Sequence, residues 1–204
     1  MRYLFYAMIC AVLFAFVIFA DPSVEGRERH YGPPQDAGSG RGETQAPEIK
    51  IAGLEKKVHD LINRERKKKG LSMLDWNENL HRIARRYSKN MSERGFFSHN
   101  DPEGRCFTDR YKDDGFECRL RLGDKTCLGA ENIAQATIYK AVRFLDGVPS
   151  YDWNTVDEIA ASLVEGWMKS KGHRENILTP YFKRQGIGIA ISEDGRVYVT
   201  EDFC

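Results

Sequence analysis

The stretch Val164–Phe182, "VEGWMKSKGHRENILTPYF", begins as the end of an amphipathic helix and runs past a glycine into a histidine. Upstream, Thr155 and Glu158 have the spacing of a capping box, and Ile159, Leu163 and Trp167 share one apolar stripe, so a helix is expected from Thr155. Gly172 is its expected stop. His173 follows at once, placing a titratable, metal-competent imidazole where only a turn is needed.

Downstream, "GIGIAISEDGRVYVTEDFC" (186–204) alternates Ile187, Ile189 and Ile191, turns at Asp194-Gly195 and resumes with Val197 and Val199, the pattern of a β-hairpin. Gly186 and Gly188 inside the first strand predict close approach by another backbone or a packed ring. Toward the N-terminus, Ile51, Leu54, Val58, Leu61 and Ile62 recur at helical steps until Gly70. Leu80, Ile83, Ala84, Tyr87 and Met91 do the same between Asn77 and Gly95. His59 and His81 lie on these two helices without a partner at i+4 and read as ordinary helical residues. The basic run "RERKKKG" (64–70) falls where the first helix ends and suits the negative end of its dipole. Residues 96–154 read as loop-rich, so the expected fold class is α+β, with helices layered on a terminal hairpin.

With 204 residues, 41% of them hydrophobic, the chain can fill one core. Its formal net charge of +1 provides no field for nucleic acid, and no nucleic-acid partner is expected. After Arg2, the uncharged run "YLFYAMICAVLFAFVIFA" (3–20) marks residues 1–20 as a signal peptide or signal anchor. The protein is therefore expected to be secreted or membrane-anchored, touching the membrane through this segment if it is not cleaved. Residues 21–47, rich in Gly, Pro and charge, read as a disordered linker of roughly 30 Å reach. The folded domain is 48–204. Cys106, Cys118, Cys127 and Cys204 are an even set for an oxidising compartment, and four cysteines allow three connectivities. Cys118–Cys204, fastening the last strand, with Cys106–Cys127 closing the loop, is the preferred arrangement.

Three polar clusters carry candidate chemistry: "GFFSHNDPEG" (95–104), "LGAENIAQ" (128–135) and "KSKGHRENIL" (169–178). They present His99, Glu131 and His173, a nitrogen and oxygen donor set suited to a divalent ion with an open position. No His-Glu-x-x-His element reinforces that reading.

"FFSHNDPEG", "AENIA", "VEGWMKSKGHRENILTPYF", "GIGIAI" and "YVTEDF", in this order from about Val58 to Cys204, resemble the CAP superfamily of cysteine-rich secretory proteins, antigen 5 and pathogenesis-related 1 proteins, in its prokaryotic branch. The resemblance implies a three-layer α-β-α sandwich with a cleft lined by two histidines and two acids, holding zinc or another divalent cation in some members. On this sequence the cleft residues are His99, His173 and Glu131, with Ser170 at the fourth position, three residues after Trp167, where animal and plant members carry Glu. Glu165 cannot replace that acid, because five residues at about 100° each place it round the helix from Ser170. A cation balanced by Glu131 alone is expected to bind modestly. An architectural reading runs beside this one, with Glu131 and Asn132 as a bracket that orients His99 and bonds loop backbone.

Two functions of different class follow. The first is a non-enzymatic extracellular module whose cleft binds a lipid, an envelope component or a protein, the metal being optional. The segment Gln135–Asn154, with Tyr139, Phe144, Tyr151 and Trp153, is either an apolar wall beside that cleft or core. The alternative is a metal-dependent hydrolase of peptides or esters, with His99 and His173 as ligands, Glu131 as general base and Ser170 stabilising an oxyanion. A thiol mechanism, Cys106 with His99 as base, is opposed by the even number of exported cysteines. Arg174 is expected to pair with an acid.

Overall fold

A computed structural model describes residues 46–204. The apolar segment 1–20 and the linker up to residue 45 lie outside the described residues. Among the described residues no helix is long and apolar enough to cross a membrane.

The elements run α1 (Ile51–Lys68), β1 (Asp75–Trp76), α2 (Glu78–Arg94), α3 (Phe107–Asp113), β2 (Leu120–Leu122), β3 (Lys125–Cys127), β4 (Ala130–Thr137), β5 (Tyr139–Leu145), β6 (Val148–Trp153), α4 (Val156–Lys169), α5 (Lys171–Ile177), β7 (Arg184–Ile191) and β8 (Arg196–Phe203). Four strands form the central sheet in the order β1-β7-β8-β4, antiparallel except for the short β1–β7 pair. On β8, Val197, Val199 and Phe203 face α1 and α4, whose Leu54, Val58, Ile62, Ile159, Leu163 and Trp167 complete the main core. Tyr198 and Cys204 face the other way, toward α2 and α3. This is the three-layer α-β-α sandwich.

Local chemistry sets the helix ends. Asn77 caps α2 by accepting from the Leu80 amide at 3.0 Å, and Gly95 closes it in the left-handed region (φ 66°). Thr155 and Glu158 form the expected capping box on α4. The glycines of β7 explain how α2 reaches the sheet. A Cβ on Gly186 would stand 2.0 Å from the His81 amide nitrogen, and one on Gly188 would stand 1.9 Å from that of Arg85. The helix backbone therefore lies directly on the strand. Ser88 fastens it there, its hydroxyl contacting the Gly188 carbonyl at 2.8 Å and Thr200 Oγ1 at 2.9 Å. Beyond the two residues of β1, polar side chains cover the outer edge of β7. His81 donates from Nδ1 to the Ile187 carbonyl (2.6 Å), and Glu55 accepts from the Ile189 amide (3.0 Å) while held by Arg85.

Four expectations are corrected. The middle of the chain is not loop-rich: it holds α3 and five strands, one of them in the central sheet. β4 was hidden because its alternating residues, Glu131 and Ile133 on one face, Asn132 and Ala134 on the other, are partly polar and short. The helix from Thr155 stops at Lys169, with Ser170 extended (φ −79°, ψ 126°), and Gly172 lies inside α5. Arg174 does not pair with an acid but donates to the Met168 carbonyl at 2.8 Å, capping the end of α4. Cys118 is bonded to Cys204, while the expected Cys106–Cys127 bridge is not formed and both are free thiols. Their sulfurs have separate local partners, Thr108 Oγ1 at 3.0 Å for Cys106 and the Gly129 carbonyl at 3.6 Å for Cys127.

Gly188→Ala forces α2 off β7, and overpacking of this kind should lower the folding free energy by about 3 kcal/mol. A urea midpoint shifted accordingly, with an unchanged slope, is the expected result.

Candidate functional site

β4 is an edge strand, and its alternation sends Glu131 toward α3 and Asn132 toward α5. Each holds one of the candidate histidines. Glu131 is buried, with one carboxylate oxygen accepting from His99 Nδ1 at 2.9 Å and the other from Arg110 Nη2. A neutral His99 therefore carries its proton on Nδ1 and offers Nε2 as an acceptor. Asn132 donates to the His173 carbonyl at 3.2 Å and to Glu201 Oε2 at 3.1 Å, and accepts from Asn176 at 2.9 Å.

The loop that carries His99 is tied down at several points. Tyr87 donates its hydroxyl to the Ser98 carbonyl at 2.6 Å, and Arg110 reaches the His99 carbonyl at 3.3 Å. The Arg110 guanidinium itself stacks 3.4 Å above the Tyr87 ring. Buried Asp101 folds the following turn by accepting from the amides of Glu103 (3.1 Å) and Arg105 (2.8 Å).

The two imidazoles, 74 residues apart in sequence, come together with ring centroids 6.3 Å apart. His99 arrives from the end of α2 and His173 from α5, so opposite layers of the sandwich meet over the edge of β4. Burial first, and then the nearby His99, push the His173 imidazole down to about 4, leaving it neutral at physiological pH. Ser170 sits at the α4–α5 turn and makes no capping hydrogen bond. Glu165 is exposed and faces Lys169 at 3.7 Å, so it does not supply the missing acid. Among the described residues no group of three or more His, Cys, Asp or Glu is placed to hold a metal ion.

The remaining candidates lie apart from this pair. Cys106 contacts Thr108 and not an imidazole. Tyr139, Tyr151 and Trp153 pack on one another along the separate β5–β6 hairpin, with Tyr151 and Trp153 stacked at 4.7 Å, while Phe144 stays 67% exposed. His59 and His81 are structural, bonded to Gln185 and to the Ile187 carbonyl respectively.

The sequence reading missed Arg110, Arg66 and the buried acids of β8. Arg66 belongs to the run read as a dipole cap, yet it is fully buried and donates to the carbonyls of Ser72, Ile177, Thr179 and Phe182. It thereby anchors the exit of α5 to α1. A signal was available for Glu201 and Asp202, since a strand enclosed between two layers has no solvent face for either parity. Arg110 gave none beyond its place on a short charged helix.

The model of the cysteine-rich secretory protein family, CAP, matches residues 59–203. The uncharacterized Bacillus subtilis protein YkwD is 32% identical over 160 residues, 78% of this chain and 50% of that protein. The B. subtilis membrane protein YlbC, also uncharacterized, is 30% identical over 73% of this chain and 34% of its own. The chain thus spans half or less of the length of these curated relatives. Among solved structures, an extracellular SCP-domain protein from Bacillus anthracis matches at a TM-score of 0.54 and 26% identity, over 75% of this chain and 40% of that one. An outer surface protein of Borrelia burgdorferi shares the fold at a TM-score of 0.54 and 16% identity, covering 78% of this chain and 98% of its own.

Removing the guanidinium in Arg110→Ala leaves the buried Glu131 without its cation and with only the His99 ring as a partner, and should cost about 3–5 kcal/mol in denaturant unfolding. For His173 the folded value lies below the unfolded one of 6.5, so its contribution to stability is present above that pH and is lost as pH falls toward about 4. An NMR titration of the ring should show a midpoint near that lower value.

Proposed function

The chain belongs to the CAP family, and from that premise we propose that its domain is an extracellular module that works by binding a ligand in the cleft between His99 and His173. The observation that carries this reading is the state of Glu131, with one oxygen on Arg110 and the other on His99. A proton taken up by Glu131 would discharge the carboxylate that pairs with Arg110 and accepts from His99, weakening both contacts. That disfavours the metal-dependent hydrolase with Glu131 as base. What remains for a ligand is the pair of imidazoles, with ring centroids 6.3 Å apart, a set suited to hydrogen bonding.

Zinc or another divalent cation does not fit as a catalytic ion, because two imidazoles fall short of the three protein ligands usual at such sites. At most, weak binding completed by solvent is expected. The extracellular character of the Bacillus anthracis relative and the membrane location of YlbC agree with export by the run Tyr3–Ala20. The ligand is then a lipid, an envelope component or a protein met outside the cell, with membrane contact through that run where it is retained.

The test is retention of lipids, envelope extracts and proteins by residues 48–204, compared with the His99→Ala, His173→Ala double variant and accompanied by calorimetric titration with divalent ions. Retention by the wild type and loss in the double variant are expected, with any ion binding weak. Turnover of a peptide or ester library, abolished both by chelator and by His173→Ala, would replace this reading with the hydrolase.

A further inference from the structure

Within the basic run that closes α1, Arg66 turns inward and its neighbours do not. Its guanidinium gathers two loops, donating to the Ser72 carbonyl (2.8 Å) ahead of β1 and to the Thr179 (2.9 Å) and Phe182 (3.4 Å) carbonyls beyond α5. Backbone bonds tie the same pieces together, from the Leu71 amide to the Arg66 carbonyl (3.1 Å) and from the Asp75 amide to the Lys183 carbonyl (2.8 Å). Both loops therefore meet at the C-terminal end of α1. What they leave outside is one patch: Lys67, Lys68, Lys69 and Lys183 are exposed, and among them Met73 is 63% and Tyr181 38% exposed.

This end carries a surplus of positive charge although the whole chain is close to neutral at +1. Lys68 pairs with Glu65 at 2.6 Å, while among the described residues Lys67, Lys69 and Lys183 have no ion pair. Asp75 adds a second acid, and Glu175 of α5 faces Lys171 at 4.0 Å instead. The negative end of the helix amounts to about half a charge. Four lysines exceed what it and two acids offset. Tyr181 packs edge-on against the buried Phe182 at 5.4 Å, which ties the exposed ring to the core.

We propose that this end of the domain, with its four lysines around Met73 and Tyr181, is a docking surface for a bilayer of anionic phospholipid. Ammonium groups meet the phosphates, the thioether enters the interface, and the phenol sits at the headgroup level that tyrosine favours. A soluble polyanion would engage the lysines and leave Met73 and Tyr181 without a role. Where the run Tyr3–Ala20 is retained, the linker, of roughly 30 Å reach, joins the other end of α1, whose 18 residues span about 27 Å. That reach suffices for the lysines to meet the bilayer holding the run. The patch shares no residue with the histidine pair, and the proposal is independent of what that cleft binds.

The test places the full chain in vesicles, either phosphatidylcholine alone or an equal mixture with phosphatidylglycerol, and follows acylation of lysines by a water-soluble reagent with mass spectrometry. Lys183 is the reporter, and Lys89 on α2 is the internal reference. Acylation of Lys183 should slow about tenfold on the anionic vesicles only, and recover in about 0.5 M salt. Lys67→Gln, Lys68→Gln and Lys69→Gln together should weaken the surface association about 100-fold, at roughly fivefold per lysine, and return Lys183 to its rate on neutral vesicles. Met73→Ser with Tyr181→Ser should raise the Lys183 rate on anionic vesicles severalfold. All five side chains are exposed, so neither variant disturbs the core. Equal Lys183 rates on the two vesicles, or protection that survives the triple variant, would overturn the proposal. Unchanged protection in the Met73→Ser, Tyr181→Ser variant, or equal protection by soluble polyphosphate on neutral vesicles, would overturn it in favour of a polyanion.

Discussion

The contact on which the rest of the structure depends is backbone against backbone. Gly186 and Gly188 let α2 lie on β7 at a separation that excludes any Cβ, and Ser88 bonds the helix to the strand at that point. The helix so placed has no freedom to slide, and the loop leaving its C-terminal end carries His99. A shift of one methyl group at the glycines would be passed along a rigid helix to the ring. Packing at crystal-like density is what makes that transmission unavoidable.

A second constraint works across the sheet. Adjacent residues of one strand point to opposite faces, so Glu131 and Asn132 register two loops from two layers with a single piece of backbone. Glu131 fixes the ring of one histidine, and Asn132 fixes the main chain of the other. The rings therefore meet over the strand edge without a shared helix. Arg66 adds a brace from α1 to the exit of α5, holding the second loop from behind. Such a network is costly to build half-way, since every buried polar group left unmatched carries its desolvation penalty.

Features written in local chemistry were legible in the sequence. Asn77, Gly95 and the Thr155–Glu158 box end their helices by side-chain bonds or by φ that neighbouring residues cannot override. The paired glycines of β7 announced a close approach, and motif order brought His99, Glu131 and His173 to one site. Features decided by tertiary contacts were not legible. Arg174 ends α4 ahead of Gly172, so the glycine meant as a stop became part of a helix. Polar β4 gained its place from its partner β8 and not from propensity. The free thiols of Cys106 and Cys127 follow from side-chain directions that no count of cysteines contains.

The strand order has a consequence for how the domain is made. β8 is the last of the four sheet strands in the chain, yet it lies between β7 and β4 and bears the cysteine that closes onto Cys118. Until the ribosome has supplied everything through Cys204, β4 has no partner and the sandwich has no middle. The domain is therefore completed from its C-terminal end, and the Cys118–Cys204 bond can close only when that last strand has arrived.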